Sequence, residues 1–134
     1  MNISKIEKGT LVYNLIDNII YRIDKASNIK SHVECTVIFM GLEPACKIGK
    51  SSIKPFVRKK CIPFQKTGLL PYASLQHEDY ILLTEYIEDF CCSNISLLLE
   101  EVENMQACNK ALYNDYEEVI SYIINWREMT KWLN

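Results

Sequence analysis

The first half of the chain changes its hydrophobic pattern every few residues, as strands joined by short turns do. GTLVYNL (9–15) sets Leu, Val and Tyr in a loose alternation, IDN (16–18) is a polar turn, and IIYRIDKA (19–26) resumes the strand pattern. SNIKS (27–31) is a polar loop, and VECTVIFM (33–40) is the strongest strand signal in the chain. Gly41 ends that run. CKIG (46–49) and SSIKPF (51–56) supply two further extended pieces, and Pro55 marks the close. Five short strands with tight connections predict a small, strongly bent antiparallel barrel, because so small a sheet has no other way to hide both faces.

After Gln76 the period becomes helical, and neither glycine nor proline occurs again. Tyr80, Leu83, Ile87 and Phe90 form one stripe, and Ser93-Asn94 offers a break with capping chemistry. Ile95, Leu98, Val102, Met105, Asn109, Leu112, Tyr116, Val119, Ile123, Trp126, Thr130 and Leu133 then follow alternating steps of three and four, the seam of a heptad repeat. Two structures satisfy that seam. In one, Asn114-Asp115 breaks the chain, Glu117 or Glu118 closes a capping box, and two helices fold back as a hairpin. In the other, a continuous helix pairs with a second chain and Asn109 fixes the register of a coiled coil. The capping chemistry of LYNDYEE favours the hairpin. Ile120, Ile124 and Trp132 point away from the Val119–Trp126 stripe, so an apolar surface wider than one face predicts a homodimer or a helical heterodimer in either case.

The predicted architecture is therefore α+β: a β-barrel over 1–57, a linker over 58–75, and a helical interaction and oligomerisation region over 76–134. Charge sharpens the division. Residues 1–74 balance at +7 and residues 75–134 at −9, which together give the net −2. The linker carries two prolines, a glycine and basic residues without a sustained period.

Candidate chemistry adds little to this picture. The sequence has no G-x-S-x-G, no phosphate-cradling glycine loop and no Cys, His and carboxylate set at a readable spacing, so no enzyme is expected. His77-Glu78-Asp79 reads as the acidic opening of a helix. The six cysteines form no C-x-x-C pair, and without sign of secretion they read as small buried hydrophobes; neither metal nor cofactor is expected. No apolar run is long enough to span a bilayer and the first residues lack a signal-peptide core, so an intracellular protein, nuclear or cytoplasmic and without membrane contact, is expected.

From Ile20 to Pro55, IYRIDKASNIKSHVECTVIFMGLEPACKIGKSSIKP resembles the core of a Tudor domain of the survival-of-motor-neuron type. The resemblance lies in the "IY" entering the second strand, the Cys- and Val-bearing third strand ending in aromatic-x-Gly, and the serine-containing turn before "I-x-P". KGTLVYNLIDN is similar to the family's opening strand and acidic turn. The resemblance implies a barrel that reads methylated arginine or lysine in an aromatic cage, where a cation stripped of donors and hydration is held by cation–π attraction. It places Tyr21 and Phe39 at cage positions, with Tyr13 nearby. Leu42 stands where the family has a second aromatic, and Pro44 where it has an orienting asparagine, so the cage is degenerate.

The expected function is a non-enzymatic adaptor. Its barrel contacts a protein partner's peptide, methylated or unmodified, through Tyr13, Tyr21, Phe39 and Leu42. Its helices assemble through Leu98, Val102, Met105, Leu112, Val119, Ile123, Trp126 and Trp132. The resemblance points towards RNA processing or gene silencing. The alternative is a small RNA- or DNA-binding module: Lys47, Lys50, Lys54, Arg58, Lys59, Lys60 and Lys66 lie in an acid-free stretch interleaved with Phe56, Phe64 and Tyr72, which suits phosphate neutralisation and base stacking.

Overall fold

A computed structural model describes residues 6–26, 32–39, 42–44, 56–58, 67–91 and 94–130, with the backbone alone at 26, 39, 42–44 and 56–58. Three strands fall where the sequence predicts them: β1 (Leu11–Asn14), β2 (Ile19–Ala26) and β3 (His32–Phe39). They form an antiparallel meander with Val12 opposite Tyr21 and Tyr21 opposite Val37. The β1–β2 turn is built by asparagines. Asn14 Oδ1 accepts from the Ile16 and Asp17 amides at 2.8 and 2.9 Å, and Asn18 takes the left-handed conformation at φ 57°, which asparagine tolerates better than most residues.

Two short strands, β4 (Leu42–Pro44) and β5 (Phe56–Arg58), pair antiparallel as a separate ribbon. Of the expected extended pieces at 46–49 and 51–56, all but Phe56, the first residue of β5, lie outside the described residues. The main sheet is completed from further along the chain, by β6 (Thr67–Pro71) beside β3 and β7 (Tyr80–Leu82) beside β1, in the order β6-β3-β2-β1-β7. β6 arises within the segment read as linker. β7 opens the stretch read as a helical stripe: pairing with the open edge of β1 overrides a three-residue pattern too short to show a period.

The sheet is not a closed barrel, because β6 and β7 end the order without pairing to each other. A single turn, α1 (Tyr72–Leu75), joins the two edges and buries Leu75. The need to hide both faces, which predicts the barrel, is met by helices instead. Leu11, Tyr13, Ile20, Ile38 and Ile81 form one core with α2 (Leu83–Tyr86), the π-helical turn Ile87–Cys91, α3 (Ile95–Cys108) and α4 (Tyr113–Thr130). On the other face Val12, Ile23, Val33, Cys35 and Leu70 close over Leu75. β1 is buried at all four positions since both its faces and both its edges are covered, the environment that gives a continuous apolar run rather than a clean alternation.

Among the described residues the C-terminal seam is two packed helices, not one continuous helix. The chain turns at Asn109 (φ −131°, ψ 81°) and a 3₁₀ turn at Lys110–Leu112, ahead of the expected break at Asn114-Asp115. Asp115 instead stands in the first turn of α4, where the helix dipole favours a carboxylate.

Candidate ligand site at the Tyr21–Tyr80 end of the sheet

Tyr21 projects from β2 onto the α1 side of the sheet, together with Val37 of β3 and Leu82 and Tyr80 of β7. Tyr21 and Tyr80 stand on strands either side of β1, on the diagonal: the buried Val12 lies between Tyr21 and Leu82, and Tyr80 stands opposite Asn14. Long side chains reach such a diagonal neighbour on the same face of a sheet. Their ring centroids lie 6.0 Å apart at a tilt of 41°, and both tyrosines are half-buried. Burial, then the neighbouring Tyr80 and Asp17, push the Tyr21 hydroxyl well above the usual phenol range, so it is a neutral hydrogen-bonding group at neutral pH.

The loops at this end are acidic and bonded to each other. Asp17 is fixed by the Asn14 side chain. The Leu15 amide donates to the Asp79 carbonyl at 2.8 Å, which ties the β1–β2 turn to the turn preceding β7. In that second turn His77 Nδ1 lies 3.0 Å from Asp79 Oδ2. His77-Glu78-Asp79 is thus a turn into a strand and opens no helix. Two tilted aromatic rings, flanking apolar side chains and the Asp17 carboxylate make an arrangement that suits a cationic group.

The structure separates the residues expected to act together. Tyr13, one position from Val12, points to the opposite face and is fully buried; it stacks on Tyr86 with centroids 3.7 Å apart and its hydroxyl donates to Asn18 Oδ1 at 3.1 Å. Tyr13 is a core residue and cannot line a surface with Tyr21. Phe39 stands opposite Ile19 and Leu42 opposite Arg58 by backbone register. Lys47, Lys50, Lys54, Lys59, Lys60 and Lys66 lie outside the described residues. Tyr80 is the site residue that sequence reasoning missed, having been assigned to a helix.

Leu98, Val102, Leu112, Val119 and Ile123 are at most 4% exposed and belong to the core shared with the sheet, so the heptad seam is spent on the chain's own packing. Met105 and Trp126 pack partly buried against the same core, and Trp132 lies outside the described residues. Ile120 is buried with them, whereas Ile124 is exposed. Cys35 and Cys91 are buried, as expected, but Cys108 is exposed.

On the helix side of the sheet, Arg22 gathers a polar cluster. A bulge leaves Asp24 without a partner between Ile23 and Lys25, and turns its carboxylate onto Arg22 Nε at 3.1 Å and the Thr36 hydroxyl at 2.7 Å. Arg22 also meets α4 at Asp115 and Glu118. No helix among the described residues is long and apolar enough to cross a membrane. Comparison of the chain with protein-family models, curated proteins and solved structures finds no match to any of the three.

Proposed function

We propose that the chain is a non-enzymatic adaptor whose Tudor-like sheet contacts a cationic side chain of a peptide, methylated or unmodified, between Tyr21 and Tyr80. The observation that carries this reading is the tilted, half-buried tyrosine pair beside Asp17. The Tudor-like label rests on the resemblance over 20–55, which spans β2 and β3. Each ring contributes about 0.5–2 kcal/mol to holding a cation, so two rings reach about 1–4 kcal/mol, close to the roughly 4 kcal/mol of a millimolar complex. A useful complex therefore needs a further contact. The α3–α4 layer supplies the surface for a second protein, and linking two weak contacts raises affinity through effective concentration.

The test is an NMR titration of the full chain with dimethyl-arginine, trimethyl-lysine and unmodified peptides. Shifts are expected at Tyr21 and Tyr80, and both Tyr21→Ala and Tyr80→Ala should abolish them. A chain whose tyrosine signals stay still under millimolar concentrations of every peptide would leave the pair as edge packing.

A further inference from the structure

We infer that the outer seam between α3 and α4 docks a basic amphipathic helix of a partner protein. This specifies the second contact of the adaptor reading and does not depend on what the Tyr21–Tyr80 pair holds.

The two helices meet where Gln106 Nε2 donates to the Tyr113 carbonyl at 3.2 Å and to Glu117 Oε2 at 2.6 Å. Steps of three and four from that point reach Glu103 and Leu99 on α3, and Ile120, Ile124 and Glu128 on α4, one continuous ridge on each helix. Leu99 and Ile120 close the floor of the seam, each 6% exposed. Ile124 and Tyr113 stand out from it at 37% and 51%, more than the packing of the two helices requires. Glu103, Glu117 and Glu128 are exposed along the same ridges, with Lys110 in the turn between the helices and Arg127 near the end of α4 as the described cations.

Charge decides what covers this strip. Residues 83–130 carry ten carboxylates against two cations, Lys110 and Arg127. A two-fold pairing of identical copies through this face would set the same glutamates against each other, and like-charge contacts of that kind cost affinity. The complementary occupant presents apolar side chains on one stripe and Lys or Arg at its flanks, the helix-in-groove mode of recognition.

The experiment uses the full chain and three fluorescent synthetic peptides: an amphipathic helix of Leu and Lys, a scramble of the same composition without an amphipathic face, and a Leu/Glu analogue. Anisotropy should show the Leu/Lys helix binding at low salt and weakening as salt rises, with the other two at least about tenfold weaker. Ile124→Ser and Glu103→Lys, at exposed positions, should each weaken binding by about fivefold or more while leaving the circular dichroism unchanged. Leu69→Ser, at an exposed position on β6, should not. Equal binding of the scramble, no binding of the Leu/Lys helix, or indifference to Ile124→Ser would overturn the inference. Loss on Tyr80→Ala in place of Ile124→Ser would put the peptide on the sheet instead. A dimer seen by light scattering without peptide and dispersed by Ile124→Ser would give the face to a second copy.

Discussion

Arg22 on β2 donates from Nη1 to Asp115 Oδ1 on α4 at 2.8 Å, a bond between residues 93 positions apart. The same nitrogen meets Glu118 Oε2 at 2.6 Å, and Nη2 donates to the Thr36 hydroxyl at 2.9 Å. One guanidinium thus holds sheet and helix layer in a fixed relation, with three carboxylates competing for it. Apolar packing between these layers has no direction of its own; the guanidinium, with its donors in a rigid fork, supplies one.

Replacing Arg22 by alanine removes the guanidinium that pairs with Asp115, whose side chain is 6% exposed. Loss of one partner of a buried pair costs about 3–5 kcal/mol, and urea denaturation of Arg22→Ala should show a loss in this range. The double variant Arg22→Ala/Asp115→Asn should recover part of it. If the two single losses add in the double variant, the pair is not coupled.

Asn18 combines a left-handed backbone with a buried hydrogen bond from Tyr13. Two substitutions separate these roles. Asn18→Gly keeps the backbone free and loses only the bond, for about 1–3 kcal/mol; Asn18→Ala adds about 1–2 kcal/mol of steric strain. Thermal melts should rank wild type, glycine and alanine in that order, and equal melting of the two variants would mean that the backbone conformation contributes nothing.

Tyr86 is stacked on Tyr13 in the core, but its hydroxyl, beside that of Tyr13 and the Cys91 thiol, forms no well-aligned hydrogen bond. Tyr86→Phe keeps the stack and removes an unsatisfied buried group, so denaturation should show stability unchanged or raised by about 1 kcal/mol. Tyr86→Ala opens a cavity and should cost about 3–5 kcal/mol. A large loss in the phenylalanine variant would show that the hydroxyl is bonded after all.

Burial, and secondarily Asp24, push the Cys35 thiol up from 9.0 to about 11. Below pH 9 both folded and unfolded chains keep this proton, and the contribution to stability is complete. Between 9 and 11 the unfolded chain loses the proton first, so stability falls as pH rises and is lost through the folded value. Denaturant midpoints should decline over that window, and Cys35→Ala should flatten the decline. Tyr21 and Tyr86, also raised by burial, continue it above their ordinary value of 10.

How much of this was legible in the sequence follows from how each element is covered. β2 and β3 are readable because a polar turn and a loop bound their β-branched runs. β6 is not, because Gly68 and Pro71 in TGLLP signal a turn, and an edge strand is where a sheet tolerates them. The heptad spacing identifies the buried faces of α3 and α4, but spacing is silent on whether the partner is another chain or the same one. Asn109 sits on the seam as a register-setting polar residue would, yet it ends a helix. For the site, Tyr21 is legible from the resemblance. Tyr13 is misplaced because a strand covered on both faces hides its own alternation, and Tyr80 becomes visible only when β7 pairs with β1.

The sheet order has a consequence for how the protein is made. Val12, in the strand buried on both faces, waits for Leu82 to supply its second edge and for α4 to complete the core to which its neighbour Tyr13 belongs. A nascent chain emerging from the ribosome thus carries β1, buried at all four positions in the folded chain, half-paired until nearly all described elements have been synthesised, and such late, long-range closure is slow and exposes sticky edges. Ribosome-bound chains halted before residue 80 should stay open to protease and to chaperones, with protection appearing only after α4 has cleared the exit tunnel.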